Sequence, residues 1–216
     1  SVSDSLYRRA TRLALEQGLD LALHAAESQD ERRLLWDGSG AFGDSLRRRQ
    51  IPFTPPRCST VRYLDQLGVL AAAPLLIHGV TIDSDDLDLL VRHGVRLAHC
   101  PKSNSKFGHG IAAVADWKRR GLAIGLGTDS VASNNGGDLI EEGRFATLLQ
   151  RAHRGDSSWP SAADALALMT IEGARALRLQ DQVGSIEPGK KADLTVVDLS
   201  GIQTIPVADP VTTIIF

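Results

Sequence analysis

One arrangement of polar and apolar positions recurs between residues 3 and 130: a polar cap, an amphipathic helix, a glycine, a short apolar strand and a polar residue where the strand ends. Ser3 or Ser5 caps a helix with Leu6, Ala10, Leu13 and Ala14 on one face and Gly18 as its stop. Residues 19–23 then run as a buried strand into His24. The next unit opens at Ser59, carries Val61, Tyr63, Leu64 and Leu67, stops at Gly68, and leads Leu75, Leu76 and Ile77 into His78. A third unit is capped by Asp83 or Ser84, stops at Gly94, and feeds residues 95–98 into His99. A fourth runs from Ile111 to a stop at Gly121 and feeds residues 122–126 into Thr128 and Asp129.

Strands that are apolar throughout and alternate with helices indicate a parallel sheet covered by helices. A doubly wound sheet and a (β/α)8 barrel both fit. No glycine-rich phosphate turn follows the first strand, which weakens the dinucleotide-binding version. A histidine or aspartate at the carboxyl end of every strand favours the barrel, where enzymes of that fold build their sites. Four strands amount to half of its eight.

Residues 29–57 interrupt the pattern with Trp36, several glycines and prolines, and the run Arg47, Arg48, Arg49. The stretch is expected to be a long loop with one short helix, forming a lid or substrate wall over the barrel mouth. Two helices are expected beyond Asp138, at 138–153 and 160–179. A β-hairpin is expected from residues 183–186 and 192–198 around the Pro188-Gly189 turn. The β-branched run 211–216 reads as a strand. Residues 1–180 are therefore expected to form the barrel half, and 181–216 part of a small β-sandwich domain. Both ends look cut, since the chain opens Ser1-Val2-Ser3 without Met and finishes on an unpartnered strand.

A net charge of −2 argues against a nucleic-acid partner, which calls for a basic face. No apolar run is long enough for a membrane span, and no secretion signal is read at the start. Two cysteines, Cys58 and Cys100, are too few for a disulfide framework or a cysteine zinc cage, so a cytoplasmic setting is expected.

If the strands are neighbours, their carboxyl ends converge on one mouth. Imidazoles and a carboxylate gathered there form a divalent-metal site, and a catalytic zinc takes about three protein ligands plus a water. His24 and Asp129 are the first candidates as ligands. Glu27, three residues past His24, is placed to act on substrate. Each residue alone has a plainer reading: a lone histidine is commonly a satisfied polar group, and an Asp before Ser a turn former. Joint placement on four successive strand ends separates them from chance. Cys100 reads as a small buried hydrophobe, His93 as a helix end and His153 as a solvated one. His109, in a glycine-rich loop, can line the pocket.

HAAES at 24–28, LLIHGV at 75–80, HCPKSNSKFGHGIA at 99–112 and GLGTDSVASNNGGD at 125–138 resemble, in order and type, the amidohydrolase-superfamily deaminases. That branch includes cytosine deaminase, guanine deaminase, chlorohydrolases and methylthioadenosine/S-adenosylhomocysteine deaminase. ALALMTIEGARAL at 165–177 and GSIEPGKKADLTVVDL at 184–199 look like the family's return into its β-sandwich. The resemblance implies an α/β fold, the second half (strands 5–8) of a metal-dependent-hydrolase (β/α)8 TIM barrel. It implies one divalent metal, zinc ahead of iron, held by His24 and Asp129. His78 would orient the attacking water, and Asp129 would accept its proton. Glu27 would contact the substrate ring and shuttle a proton to its nitrogen, with Asn104 and His109 further substrate contacts.

The departure is the family's His-x-His pair on the first strand, which has no counterpart in this chain. A second-half origin accounts for it. The expected activity is hydrolysis of a non-peptide carbon–nitrogen bond, deaminating a purine- or pyrimidine-like heterocycle through a metal-bound hydroxide. The alternatives are an amide, imide or chloro-triazine hydrolase of the same superfamily, or an inactive structural fragment. The chain alone is expected to be incomplete and inactive. Its partners would be a small heterocyclic substrate, the missing N-terminal half and, as in relatives, further copies in a homo-oligomer.

Overall fold

Short polar side chains start the helices of this chain, and left-handed residues end several of them. The computed structural model describes residues 2–216, the Gln203 side chain excepted. Ser3 caps α1 (Asp4–Gln17) by accepting from the Leu6 amide, and Gly18 ends it at φ 62°. Ser28 and Ser39 precede α2 (Gln29–Asp37) and α3 (Gly40–Arg48). Ser59 caps α4 (Thr60–Gln66), and Asp83 caps α5 (Ser84–Arg92) in a capping box. Then come α6 (Pro101–Lys106), α7 (Val114–Arg119) and α8 (Val131–Asn134). Asp138 caps α9 (Leu139–Arg154), Ser161 caps α10 (Ala162–Met169), and α11 (Ile171–Ala176) and α12 (Pro210–Ile215) follow.

The strands are β1 (Ala22–Ala25), β2 (Leu75–His78), β3 (Arg96–His99) and β4 (Ile124–Leu126). They pair in parallel and in chain order. A doubly wound sheet reverses its order at a switch point. This sheet does not, so its winding is that of a barrel, and its four strands are half of the barrel's eight. Ala25 lies opposite His78, and His99 opposite Leu126, so the carboxyl ends of the strands are level.

Leu64, Leu70, Leu76, Leu90, Leu97 and Trp117 fill the core, none more than 1% exposed. Each such burial stabilises the fold by roughly 1.5–3 kcal/mol over an exposed position. At the amino end of the sheet the buried Arg96 donates to the carbonyls of Ala176 (2.9 Å) and Ala73 (3.1 Å) and to Asp20 Oδ1 (2.9 Å). Arg178 reaches the same Asp20 oxygen at 3.0 Å. No helix of the described residues is long and apolar enough to cross a membrane.

Five expectations need correction. Residues 29–57 hold two helices rather than one, because Ser28 and Ser39 supply starts, Gly38 supplies a left-handed stop, and Leu34 and Leu35 find cover. The face α1 buries is that of Thr11 and Ala14, with Tyr7 packed on the core, while Leu6 and Leu13 are about half exposed. The helix expected over 160–179 breaks at Thr170, whose hydroxyl bonds back to the Leu166 carbonyl at 2.7 Å. That break seats Gly173 on the sheet: a Cβ on Gly125 would lie 3.0 Å from Gly173 Cα.

The run 211–216 is not a strand. Asp209 caps it, Pro210 sits in its first turn, and Ile215 buries beside Ala162 and Ala165 at helical spacing. Arg144 Nε donates to the Ile215 carbonyl at 2.6 Å, so this segment packs against α9 and α10. The hairpin expected over 183–198 is likewise absent among the described residues; a strand needs a ladder partner, and Leu194 and Val196 stand exposed without one.

Candidate metal and proton-transfer site

Each strand hands its chemistry to a sharp turn at its carboxyl end. Three non-glycine residues there adopt positive φ: Ala26 at 53°, His78 at 81° and Asp129 at 58°. Such backbone costs on the order of 1–3 kcal/mol per residue and persists only where surroundings enforce it. Here it turns the ends of β1, β2 and β4 toward one point. His24, His78 and Asp129 each present a donor atom there, all within 4.8 Å of one another.

The geometry is specific. His24 Nε2 lies 3.6 Å from Asp129 Oδ1. The other Asp129 oxygen, Oδ2, accepts from Ser103 (2.7 Å) and Ser133 (2.5 Å). Burial pushes the Asp129 carboxyl up, and those hydroxyls more than reverse it, leaving its pKa at about 2. It is therefore an anion at neutral pH. His78 is fully buried, and its Nδ1 lies 2.8 Å from Asn104 Oδ1. Asn104 Oδ1 can only accept, so Nδ1 carries the proton and Nε2 presents a lone pair. Burial lowers the pKa of His78, so the ring is neutral. Its Nε2 is buried with no hydrogen-bond partner.

An orphaned lone pair, a second imidazole and an anionic oxygen fit a divalent cation. Tetrahedral zinc bonds put neighbouring donor atoms about 3.4 Å apart, close to the His24–Asp129 separation. Glu27 Oε1 approaches His78 Nε2 at 3.7 Å and His109 Nε2 at 3.3 Å. Glu27 thus stands beside the donor group, not within it.

The sequence-based site residues divide accordingly. His24, His78, Asp129 and Glu27 come together, and His109 joins them through Glu27. Asn104, expected on substrate, is 1% exposed and committed to His78, so it orients the imidazole from behind. His99 is buried away from the group, edge-on to Trp117 with centroids 6.0 Å apart. Neither of its ring nitrogens has a partner, and burial drops its pKa to about 3. Burial holds the Cys100 thiol at about 12, which removes it as a nucleophile.

Two carboxylates, one buried and one half-buried, were not legible as site residues. Glu142, with no exposed surface, accepts from the Lys102 amide at 2.9 Å and Asn134 Nδ2 at 2.8 Å. Asn134 also donates to the Thr128 carbonyl at 2.7 Å, so Glu142 braces the turns after β3 and β4 together. Glu31 accepts from the amides of Ala26 (3.0 Å) and Glu27 (2.7 Å). Its spacing from Ser28 was the available signal.

The amidohydrolase family model matches residues 1–216. A 5-methylthioadenosine/S-adenosylhomocysteine deaminase from Pelotomaculum thermopropionicum is 37% identical over 209 residues, covering 97% of this chain and 44% of that protein. The crystal structure of an adenosine deaminase from Xanthomonas campestris with bound zinc superposes with a TM-score of 0.84 at 30% identity, over 100% of this chain and 45% of the other. Atrazine chlorohydrolase from Arthrobacter aurescens, complexed with zinc, gives a TM-score of 0.81 at 25% identity, over 99% and 43%. The chain thus spans less than half the length of the curated relatives it matches.

Proposed function

We propose, from the premise that this chain belongs to the amidohydrolase family, that it supplies half of the catalytic barrel of a zinc-dependent aminohydrolase. The substrate class is an adenosine-like nucleoside carrying an exocyclic amino group, and the products are ammonia and the corresponding oxo compound. The reading rests on one observation, the convergence of His24, His78 and Asp129 at a single point with Glu27 beside it. Its four strands take the places of strands 5–8, and the His-x-His ligands come from the half upstream in the same protein.

His24 and Asp129 would hold the single ion; the donors this chain supplies, one imidazole and one carboxylate, suit zinc as well as iron, and zinc is proposed. When bound, the metal supplies a nucleophilic water of lowered pKa, toward ~7, at neutral pH. His78 orients that water through Nε2, because Asn104 fixes the opposite nitrogen as the donor. Asp129, held as an anion beside His24 with Ser103 and Ser133 on its Oδ2, would accept the water's proton. Glu27 delivers a proton to the ring nitrogen next to the attacked carbon. The proton held by Asp129 would then pass to the amino group, the carbon–nitrogen bond would break to release ammonia, and the added hydroxyl's proton would return to Glu27 as the oxo group forms. His109 steadies Glu27 at the mouth.

Residues 181–209 lead into a small β-sandwich in this reading. Leu194 and Val196, apolar and alternate, are 60% and 94% exposed, as a strand without its ladder would be. Cys58 and Cys100 are free thiols, which supports a reducing, cytoplasmic setting.

A second reading keeps the same site and changes the leaving group: hydrolysis of a chloro-triazine, favoured by the likeness to the chlorohydrolase. Ammonia against chloride release from the complete protein separates the two. The central test is Glu27→Gln in the complete, zinc-loaded protein. Turnover of 5′-methylthioadenosine should fall by ~10²–10⁴, with metal content unchanged. A wild-type rate, or metal lost in step with activity, would overturn the assignment of Glu27.

A further inference from the structure

Ser28 and Glu31 have the spacing of a capping box, in which the third residue of a helix reaches back to the N-cap amide. Two other helices of this protein do that: Asp86 accepts from the Asp83 amide at 3.4 Å, and Asp164 from the Ser161 amide at 3.0 Å. Glu31, one methylene longer, goes past Ser28. Its two oxygens take the amides of Ala26 and Glu27 instead, while Ser28 still caps the helix through the Glu31 amide at 3.3 Å.

Two successive amides converging on one anion form a backbone nest, and a nest needs a left-handed residue. Ala26 supplies it at φ 53°. An alanine held there costs roughly 1–2 kcal/mol, so a clamp is required. The bend turns the chain immediately after β1 and aims Glu27 back at His78 and His109. Burial raises the pKa of the Glu31 carboxyl, and the two amides offset part of that rise.

We propose that Glu31 is a positioning residue: its carboxylate clamps the Ala26–Glu27 bend and so sets where the Glu27 carboxylate meets the substrate. This rests on the reading of Glu27 as the proton carrier. It is distinct from helix capping, because shortening the side chain would preserve the cap and abolish the clamp.

The test uses the complete, zinc-loaded protein with 5′-methylthioadenosine as probe. Glu31→Asp places its carboxylate where Asp86 and Asp164 hold theirs. Thermal midpoint, metal content and KM should stay near wild type while kcat falls about 10- to 100-fold, the cost of a misplaced catalytic group. Glu31→Gln, which keeps the length but offers only one acceptor, should lower kcat likewise. In a Glu27→Gln background neither change should reduce kcat further, since a residue acting through another is silent once that other is gone. Ser28→Ala should lower the thermal midpoint and leave kcat unchanged. Wild-type kcat in Glu31→Asp, or losses that multiply with Glu27→Gln, would overturn the proposal while leaving the role of Glu27 intact. A silent Glu27→Gln would instead remove that role, and the proposal with it.

Discussion

At the amino end of the sheet, Arg96 commits its guanidinium to two carbonyls and to Asp20. At the carboxyl end, Ala26, His78 and Asp129 stand in left-handed backbone, and His78 Nε2 is buried with nothing to bond. The same four strands carry both rims. One rim pairs both terminal nitrogens of Arg96 with the protein itself, with only its Nε unpaired; the other turns two imidazoles and a carboxylate toward a single point. That contrast is the separation of stability from chemistry that barrel enzymes display between their two faces.

Substitutions at the two rims should therefore fail in different ways. The largest effect is expected from Asp129→Ala in the complete protein. Metal should be lost and turnover should fall at least ~10⁴-fold, because the proposed anionic ligand and proposed proton acceptor disappear together. Full metal occupancy by elemental analysis would contradict the ligand role. Arg96→Met should do the opposite. The urea midpoint should drop by the equivalent of about 2–4 kcal/mol, as a charged donor's buried partners are left unpaired, with kcat per folded molecule unchanged. A drop in kcat at unaltered stability would erase the distinction between the rims.

Asn104→Leu is the finer probe of the carboxyl rim. It frees the His78 ring and its tautomer, and metal affinity or turnover should weaken about 10- to 100-fold. Chelator competition measures the first and initial rates the second; wild-type values for both would show that Asn104 does not orient His78. The smallest effect concerns pH. In the unfolded chain a histidine takes its proton near 6.5, whereas His99 in place takes one only near 3. Between those values the unfolded state binds the extra proton. Stability is thus intact above pH 6.5 and is lost as pH falls toward 3, by at most about 1.4 kcal/mol per unit. Urea midpoints at pH 7 and pH 5 should differ less in His99→Gln than in wild type; equal differences would clear His99 of the effect.

The strand ends were legible because a parallel strand is apolar until it stops, so His24, His78, His99 and Asp129 stand out against their runs. Position on a strand end does not reveal direction, however, and His99 points into the core toward Trp117. Asn104 could be seen as part of the site but not as lying behind His78, since that relation depends on how α6 packs. Glu142 was hidden by its neighbour Glu141: two adjacent acids on a helix look alike until one is buried. Residues 211–216 misled through their β-branched content, while the start signal, Asp209 followed by Pro210, lay just outside the run.

The contact of Gly125 with Gly173 has a mechanical consequence. Four residues before Asp129, β4 rests directly on α11 with no side chain between, and a methyl on Gly125 would sit 3.0 Å from the Gly173 backbone. The joint works as a shim of zero thickness. Any added atom there would lift the strand off its bearing, and the displacement would run along β4 toward the Asp129 carboxylate beyond its tip, so the tolerance of the outer helices would set the position of that side chain.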